Sequence, residues 1–322
     1  MPRPEEVQFS AGDLTLVGEL LLPDAEVDRF PWVLLLPSFG PRDRDGTLDR
    51  QQHPGWFADK TDDDRGLLGR LAHALADAGV ASFRHDVRGC GASNGNWEAS
   101  DLFARIDDAR DAIAAMRGRP NLDLRRCGIA AHGEGALLAM SVAIGDPVLS
   151  AMTLIGAPAR SVRDVLRRGA AERGRSGVDR LHPYVAALDR HAEELIERAA
   201  RHEAEMVLPL PPGVARLGLA AWRQAFGTPG MALASMLHRS VDLVHGTRDA
   251  WVDSDESTLL AATLRGAGNE PELEPVTGAG HDLAEADDGV ISGIAAKLAA
   301  RLVPRELPPV LVALEARPPT TG

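Results

Sequence analysis

Short apolar runs alternate with amphipathic segments along the chain as far as residue 158. This alternation is typical of strands joined by crossover helices, and it predicts a mainly parallel, twisted α/β sheet with helices on its faces. The predicted strands are 14–22, 32–36, 80–83, 128–131 and 151–155, and the predicted helices are 66–78, 102–116 and 135–144. The pattern returns after residue 240, with strands at 241–245 and 273–276 and helices at 257–265 and 291–302.

Residues 159–240 break the alternation, because they contain Arg- and Glu-rich helical stretches and no convincing strand. The longest helical stretch is 179–206, and Pro209 and Pro211 interrupt helix after it, since proline lacks an N–H and clashes with the preceding turn. We predict a core formed by 1–158 and 241–302, a helical cap at 159–240 that covers the site, and an extended Pro-rich tail at 303–322. Four apolar cap residues are candidates to line or pack the pocket: Leu210, Leu217, Trp222 and Phe226.

A long polar loop, 42–65, lies between a predicted strand and a predicted helix. Loops of this length inside a compact domain are more often functional than neutral. Trp56 and Phe57 are therefore candidates to face a pocket, and we take Trp56, Trp222 and Ser38 as candidate substrate-binding residues. Charged residues of this loop and of the loop at 86–88 are predicted to tie the two loops together.

Composition restricts the partners of the chain. Its 322 residues contain 35 Lys and Arg against 47 Asp and Glu, and the net charge of −12 argues against nucleic acid and against an anionic membrane surface. No apolar run reaches the ~18 residues of a membrane span and no secretory leader is evident, so we expect a soluble, cytoplasmic protein. Neither Cys90 nor Cys127 lies in a disulfide or zinc pattern, and no glycine run has a nucleotide-binding spacing, so no metal or cofactor is expected. The expected partner is a small-molecule substrate, and a homodimer is left open.

The segment 127–136 has the frame of a nucleophile elbow, a sharp turn between a strand and a helix for which small residues make room. The frame is G-x-S-x-G, and its outer positions here are Ala131 and Gly135. The central position, where Ser, Cys or Asp would attack, is Gly133. The frame is therefore present without its nucleophile.

Five segments, in this order along the chain, resemble the α/β-hydrolase superfamily, and in particular its bacterial esterase and serine-peptidase-like group with a helical cap. Besides the elbow frame, these are LLLPSFGPRDRDG at 34–46, FRHDVRGCGAS at 83–93, VHGTRD at 244–249 and GAGH at 278–281. The resemblance covers nearly all of 10–302. It implies an α/β-hydrolase fold, a mainly parallel sheet with an inserted helical cap.

The resemblance also implies roles for individual residues, because the triad of this fold follows the order nucleophile, acid, histidine. It implies that Asp249 is the acid and that His281 is the base, whose tautomer the acid fixes. It implies an oxyanion hole made by the backbone N–H groups of Glu134 and Phe39. The alternative is that Asp249 caps a turn and His281 is an ordinary loop histidine; Asp253 and Asp282 are less well placed acids.

Gly133 admits three interpretations. The elbow residue has a positive φ, which glycine adopts without strain, so the scaffold tolerates glycine there. The chain is then either an enzyme that uses His281 and Asp249 for general-base hydrolysis, elimination or cyclisation without a serine, or a serine hydrolase whose nucleophile has been replaced, or a binding protein without catalysis. We favour the first, acting on an acyl- or ester-bearing small organic molecule.

Other nucleophiles are also available at this edge of the sheet. Ser38 lies beside the expected oxyanion donor and Ser93 lies in the loop after the fourth core strand. Neither has an elbow, so the sequence favours a loop-capping role for the Ser38 hydroxyl. No paired base or helix terminus marks Cys90 as activated, and Cys127 is typical of a buried strand start.

Overall fold

A computed structural model describes residues 1–53, 66–176, 183–210 and 213–315. Its strands are β1 (Arg3–Ala11), β2 (Leu14–Leu22), β3 (Phe30–Leu36), β4 (Ala81–His85), β5 (Leu122–His132), β6 (Leu149–Ile155), β7 (Glu205–Leu210), β8 (Gly213–Gly218), β9 (Ser240–Gly246) and β10 (Glu272–Val276). Its helices are α1 (Leu67–Asp77), α2 (Leu102–Arg117), α3 (Gly135–Ile144), α4 (Val162–Ser176), α5 (Pro183–Arg190), α6 (Ala192–Ala200), α7 (Ala220–Gly227), α8 (Gly230–Ala234), α9 (Ser254–Gly266), α10 (Asp288–Arg301) and α11 (Pro309–Glu315).

Eight of the strands form one sheet in the order β1-β2-β4-β3-β5-β6-β9-β10. The first two strands pair antiparallel with each other, and β2 pairs antiparallel with β4. The remaining neighbours are all parallel. The predicted α/β fold class is therefore confirmed, with an antiparallel edge added to a parallel sheet.

Both faces of the sheet are covered, which is why its central strands are almost continuously apolar. β3 and β6 are buried along nearly their whole length. Helices α2, α3 and α9 contribute apolar residues to the core on one face, and α1 and α10 contribute to the core on the other. Helices α2, α9 and α10 each begin after an aspartate whose carboxylate accepts a backbone N–H of the first turn, which satisfies one of the unpaired donors there.

Strand β1 is absent from the sequence prediction. Its outward positions are charged or polar, and only alternate residues such as Val7, Phe9 and Ala11 are buried. This alternation belongs to an edge strand with one face in water, and such a strand lacks the continuous apolar run that identifies β3 or β6.

The prediction that 159–240 contains helices and no strand is wrong on the second point, because the antiparallel hairpin β7–β8 lies inside this segment. The long helix predicted at 179–206 is also wrong: α5 and α6 are separate helices, and β7 begins at Glu205. Met206 and Leu208 are buried while Val207 is exposed, which is the period of two that a strand requires. The Arg- and Glu-rich composition of the preceding helices masks this short alternation.

The Pro-rich tail is not extended throughout. Helix α11 begins at Pro309, a position where proline is well tolerated because a first-turn N–H has no partner within the helix. Among the described residues, no helix combines the length and the apolar character that a membrane crossing requires.

One ion pair joins the loop after β3 to the loop after β4, as the sequence predicts, and a second joins it to β4 itself; Arg88 pairs with Asp108 of α2 instead. Arg44 binds Asp86 with Nη2 2.7 Å from Oδ2. Asp45 accepts a hydrogen bond of 2.8 Å from Nε of Arg84 in β4. These contacts fix the path of the chain just after Phe39, and they give each of the four charged groups a partner of opposite charge.

Candidate active site

Four loops meet at one edge of the sheet, because the carboxyl ends of parallel strands lie together. Ser38 follows β3, Gly133 follows β5, Asp249 follows β9 and His281 follows β10. The sequence predicts that Gly133, Asp249 and His281 come together at this edge, and the structure places His281 next to both of the others. Their chemical roles stay a prediction.

Asp249 and His281 form the polar centre of the site. Nδ1 of His281 lies 2.7 Å from Oδ2 of Asp249. The other carboxylate oxygen, Oδ1, accepts the backbone N–H groups of Trp251 and Val252 at 2.8 and 2.9 Å. Because Asp249 accepts at both oxygens, His281 carries its proton on Nδ1 and presents the lone pair of Nε2.

Burial and pairing act on Asp249 in opposite directions. Its side chain is 1% exposed, and this burial alone would raise the pKa of the carboxyl. The charge of His281, its hydrogen bond and the backbone donors outweigh burial, so the pKa of Asp249 lies below its ordinary value. The carboxylate is therefore ionised at neutral pH and can stabilise an imidazolium on His281.

His132 supports the loop that carries His281. Its Nε2 lies 2.9 Å from the backbone carbonyl oxygen of His281, and the two rings lie 4.5 Å apart between centroids. A carbonyl oxygen only accepts, so Nε2 of His132 holds a proton. Burial, followed by the nearby His281 and Arg42, lowers the pKa of His132 well below its ordinary value and keeps the ring neutral.

Gly133 has the left-handed backbone conformation expected of an elbow, with φ of 54°. A β-carbon placed on Gly133 would lie 2.9 Å from Nε2 of His281 and would overlap Oγ of Ser38. Ser38 Oγ itself lies 3.3 Å from Nε2 of His281. The sequence favoured a loop-capping role for this hydroxyl, but the partner found among the described residues is the imidazole.

Two further glycines make the close packing of the site possible: Gly135, which the sequence places in the elbow frame, and Gly156, which sequence reasoning did not assign to the site. A β-carbon on Gly156, at the end of β6, would lie 3.1 Å from Nδ1 of His281 and 3.3 Å from Oδ2 of Asp249. A β-carbon on Gly135 would overlap the carbonyl oxygen of Pro37. The signal for Gly156 is weak, because it is only a glycine that directly follows a buried apolar strand.

The expected oxyanion donors directly follow Ser38 and Gly133 in the sequence: they are the backbone N–H groups of Phe39 and Glu134. Glu134 precedes α3, where backbone N–H groups have no partner within the helix. Its carboxylate forms a buried double hydrogen bond with Arg105 of α2, with Nη1–Oε2 at 2.5 Å and Nη2–Oε1 at 3.2 Å. Arg105 also lies over the ring of Trp97 at 4.7 Å and over that of Phe39 at 5.6 Å. One guanidinium thus contacts both segments that carry the expected donors.

Replacing Arg105 with methionine should lower the free energy of unfolding by about 3–5 kcal/mol, because Glu134 would keep a buried charge without its partner. The side chains of Arg105 and Glu134 are 6% and 4% exposed, so water cannot take the place of the guanidinium. Denaturant titration measures the loss. Arg110→Met is the matched control on the same helix, because its pair with Asp107 is exposed and should change stability by less than about 1 kcal/mol. Equal losses in the two variants would contradict the assignment.

The segment predicted as a cap packs against the loop of Phe39. The ring of Trp222 in α7 lies 4.4 Å from that of Phe39 between centroids, and the backbone carbonyl of Ala221 accepts a hydrogen bond from Arg105. Leu217 is buried in the same apolar cluster, which joins the insertion to the loops at this edge of the sheet. Trp56 and Phe57 lie outside the described residues, and so do the side chains of Leu210 and Phe226.

The remaining candidates have structural surroundings. Ser93 donates to the backbone carbonyl of Asp86 at 2.8 Å and accepts the N–H of Val17 at 2.9 Å. Both cysteines are buried, and burial is the main cause that raises their pKa values, that of Cys127 to about 12. Within the described ranges, no group of His, Cys, Asp and Glu side chains is placed to hold a metal ion.

Comparison with known families shows to which family the chain belongs. Residues 62–287 match the model of a family described as serine aminopeptidase, S33. The chain belongs to this family. The match includes Gly133, Asp249 and His281 and begins after Ser38. No curated protein matches the sequence.

Solved structures share the fold at low sequence identity. Est1E from Butyrivibrio proteoclasticus, solved with ferulic acid bound, has a TM-score of 0.65 and 15% identity over 92% of this chain and 98% of its own. The esterase Pf2001 from Pyrococcus furiosus has a TM-score of 0.63 and 14% identity over 94% and 92%. The α/β hydrolase GrgF from a Penicillium species has a TM-score of 0.63 and 16% identity over 93% and 99%. These likenesses show the α/β-hydrolase fold that the sequence resembles.

Proposed function

We propose that this protein hydrolyses esters of small organic acids, with His281 as the general base. The observation that carries the proposal is the hydrogen bond of 2.7 Å from Nδ1 of His281 to the buried Asp249, which leaves Nε2 facing Gly133. Membership of a serine aminopeptidase family and the shared fold with two esterases support hydrolysis as the reaction type.

The proposed chemistry needs a base, a stabiliser of the base and donors for an oxyanion. His281 removes the proton of the attacking hydroxyl or water and returns it to the leaving group. Asp249, ionised because its pKa is lowered, stabilises the imidazolium that forms between these transfers. The N–H groups of Glu134 and Phe39 are proposed to bind the oxyanion of the tetrahedral intermediate, as in related acyl-transfer sites.

The residues around Phe39 favour a substrate whose acyl group is uncharged and binds beside this ring. Phe39, Trp97 and Trp222 form an aromatic cluster next to the loop of Ser38, and Arg105, the charged group among them, is paired with Glu134. Among the described residues of this cluster, a free carboxylate on the acyl group would therefore find no unpaired cation. We also propose that the insertion around Trp222 covers the bound substrate.

The test is hydrolysis of para-nitrophenyl acetate, butyrate and octanoate, and of methyl ferulate, by the full chain. His281→Gln should lower kcat/KM by about 10²–10⁴-fold, the usual contribution of a general base. His73→Gln changes an exposed histidine on α1 and should leave the rate unchanged. A wild-type rate no faster than buffer for every ester would refute the proposed function and favour a binding role. Equal rates above buffer for wild type and His281→Gln would refute His281 as the general base.

A further inference from the structure

The hydroxyl of Ser38 lies in the space that the side chain of an elbow nucleophile would take. A β-carbon on Gly133 would overlap Ser38 Oγ and would lie 2.9 Å from both Ser38 Cβ and Nε2 of His281. The loop after β3 and the elbow after β5 therefore compete for one site beside His281, and only one of them can place a hydroxyl there. We propose that Ser38 is the nucleophile of this site and forms an acyl-enzyme; this rests on the proposed function.

The hydrogen bonds of the site give the Ser38 hydroxyl a base. His281 donates Nδ1–H to Asp249, so Nε2 is free to accept the Ser38 O–H at a distance of 3.3 Å. This distance is at the long end for a hydrogen bond, and catalytic hydrogen bonds often shorten only when substrate binds. Asp249, His281 and Ser38 therefore form a continuous line of acid, base and hydroxyl.

The backbone explains how a residue outside the elbow reaches this position. The loop after β3 passes directly over the elbow, because Gly135 leaves room for the carbonyl of Pro37 and Gly133 leaves room for the Ser38 side chain. A side chain at position 133 would occupy the place of the Ser38 hydroxyl. Glycine at position 133 therefore has two effects: the elbow has no nucleophilic side chain, and the side chain of Ser38 fits in its place.

The surroundings of Ser38 differ from those of a structural serine. The hydroxyl of Ser93, at the same edge of the sheet, is engaged by backbone groups of its own loop and of β2. Ser38 is buried to a similar degree, at 8% exposed against 6%, but its partner among the described residues is the imidazole. Phe39, whose N–H is an expected oxyanion donor, follows Ser38 directly, and Glu134, the other, follows Gly133.

The proposed sequence of steps balances without a further reactant. Ser38 Oγ forms a bond to the ester carbonyl carbon while its proton passes to Nε2 of His281, and the carbonyl electron pair moves onto oxygen. The intermediate expels the alcohol, which takes the proton from His281, and the acyl group remains on Ser38. Water then attacks the acyl carbon with His281 again taking the proton, and Ser38 leaves, regains the proton and releases the acid.

The experiment treats the full chain with an alkyl fluorophosphonate and measures intact mass and the modified peptide. Attack by Ser38 on phosphorus expels fluoride and gives the protein the mass of the probe less hydrogen fluoride. We expect one adduct, mapped to Ser38, in wild type and in Ser93→Ala, and no adduct in Ser38→Ala or His281→Gln. Ester hydrolysis should fall about 10³-fold or more in Ser38→Ala, and thermal melting checks that each variant is folded.

The outcomes separate this inference from the proposed function. Ester turnover that requires His281 but persists within about tenfold in Ser38→Ala, without an adduct on Ser38, would overturn Ser38 as nucleophile and leave water as the attacking group. An adduct on Ser38 without turnover of any ester would support an activated Ser38 and reject ester hydrolysis. Absence of both adduct and turnover in the folded wild type would overturn both proposals.

Discussion

Asp249→Asn is expected to lower kcat for ester hydrolysis by about 10⁴-fold while the site keeps its shape. Asparagine can still accept the N–H groups of Trp251 and Val252 through its oxygen, as Oδ1 of Asp249 does. Its amide nitrogen then faces Nδ1 of His281 and donates to it. The imidazole proton consequently moves to Nε2, which becomes a donor toward Ser38 and can no longer remove a proton.

Asp253→Asn is the matched control for this change. Asp253 caps α9 by accepting the N–H of Asp255, and asparagine caps a helix about as well as aspartate. Steady-state kinetics on a para-nitrophenyl ester should therefore show wild-type rates for Asp253→Asn. If Asp249→Asn also keeps more than about a tenth of the wild-type kcat, the acid that orients His281 is another residue.

The parallel part of the fold could be predicted because its strands are buried on both faces. Such strands are continuous apolar runs, as in β3 and β6, and a single sequence displays them clearly. β1 and the β7–β8 hairpin escaped prediction for the opposite reason. Their buried residues alternate with charged or exposed ones, and over six to nine residues this alternation resembles a polar helix or loop.

The site, too, has a part that the sequence predicts and a part that it does not. Asp249, His281 and Gly133 could be located because each follows a recognisable strand, and the carboxyl ends of parallel strands meet at one edge. The position of Ser38 could not, because it depends on how close the loop after β3 comes to the elbow. The loop can come this close only because glycine at positions 133 and 135 avoids steric overlap. The close approach brings together Ser38 and His281, which are 243 positions apart in the chain.

Gly133→Ser should lower ester hydrolysis by at least about 10²-fold, although it restores a serine to the elbow. The new β-carbon would overlap Ser38 Oγ and lie 2.9 Å from Ser38 Cβ and from Nε2 of His281, so the loop or the imidazole must move. A displacement of about 1 Å in a catalytic group is enough for a loss of this size. Gly133→Ala should cause a similar loss, since the added β-carbon alone creates the overlap. Wild-type kcat/KM in either variant would contradict the packing that places Ser38 against Gly133.

The double variant Ser38→Gly/Gly133→Ser should recover activity that each single change removes. Ser38→Gly deletes both the hydroxyl and the β-carbon that occupy the elbow position, and the serine introduced at position 133 can then place its own hydroxyl next to Nε2 of His281. The recovery should be incomplete, because serine at a φ of 54° is strained by about 1–3 kcal/mol where glycine is not. Ser38→Gly/Gly133→Ala is the control, since it clears the same space and supplies no hydroxyl.

Initial rates on para-nitrophenyl butyrate compare the two double variants and the single variants Ser38→Gly and Gly133→Ser with wild type. A serine double variant no faster than the alanine double variant would show that a hydroxyl at the elbow position cannot replace that of Ser38.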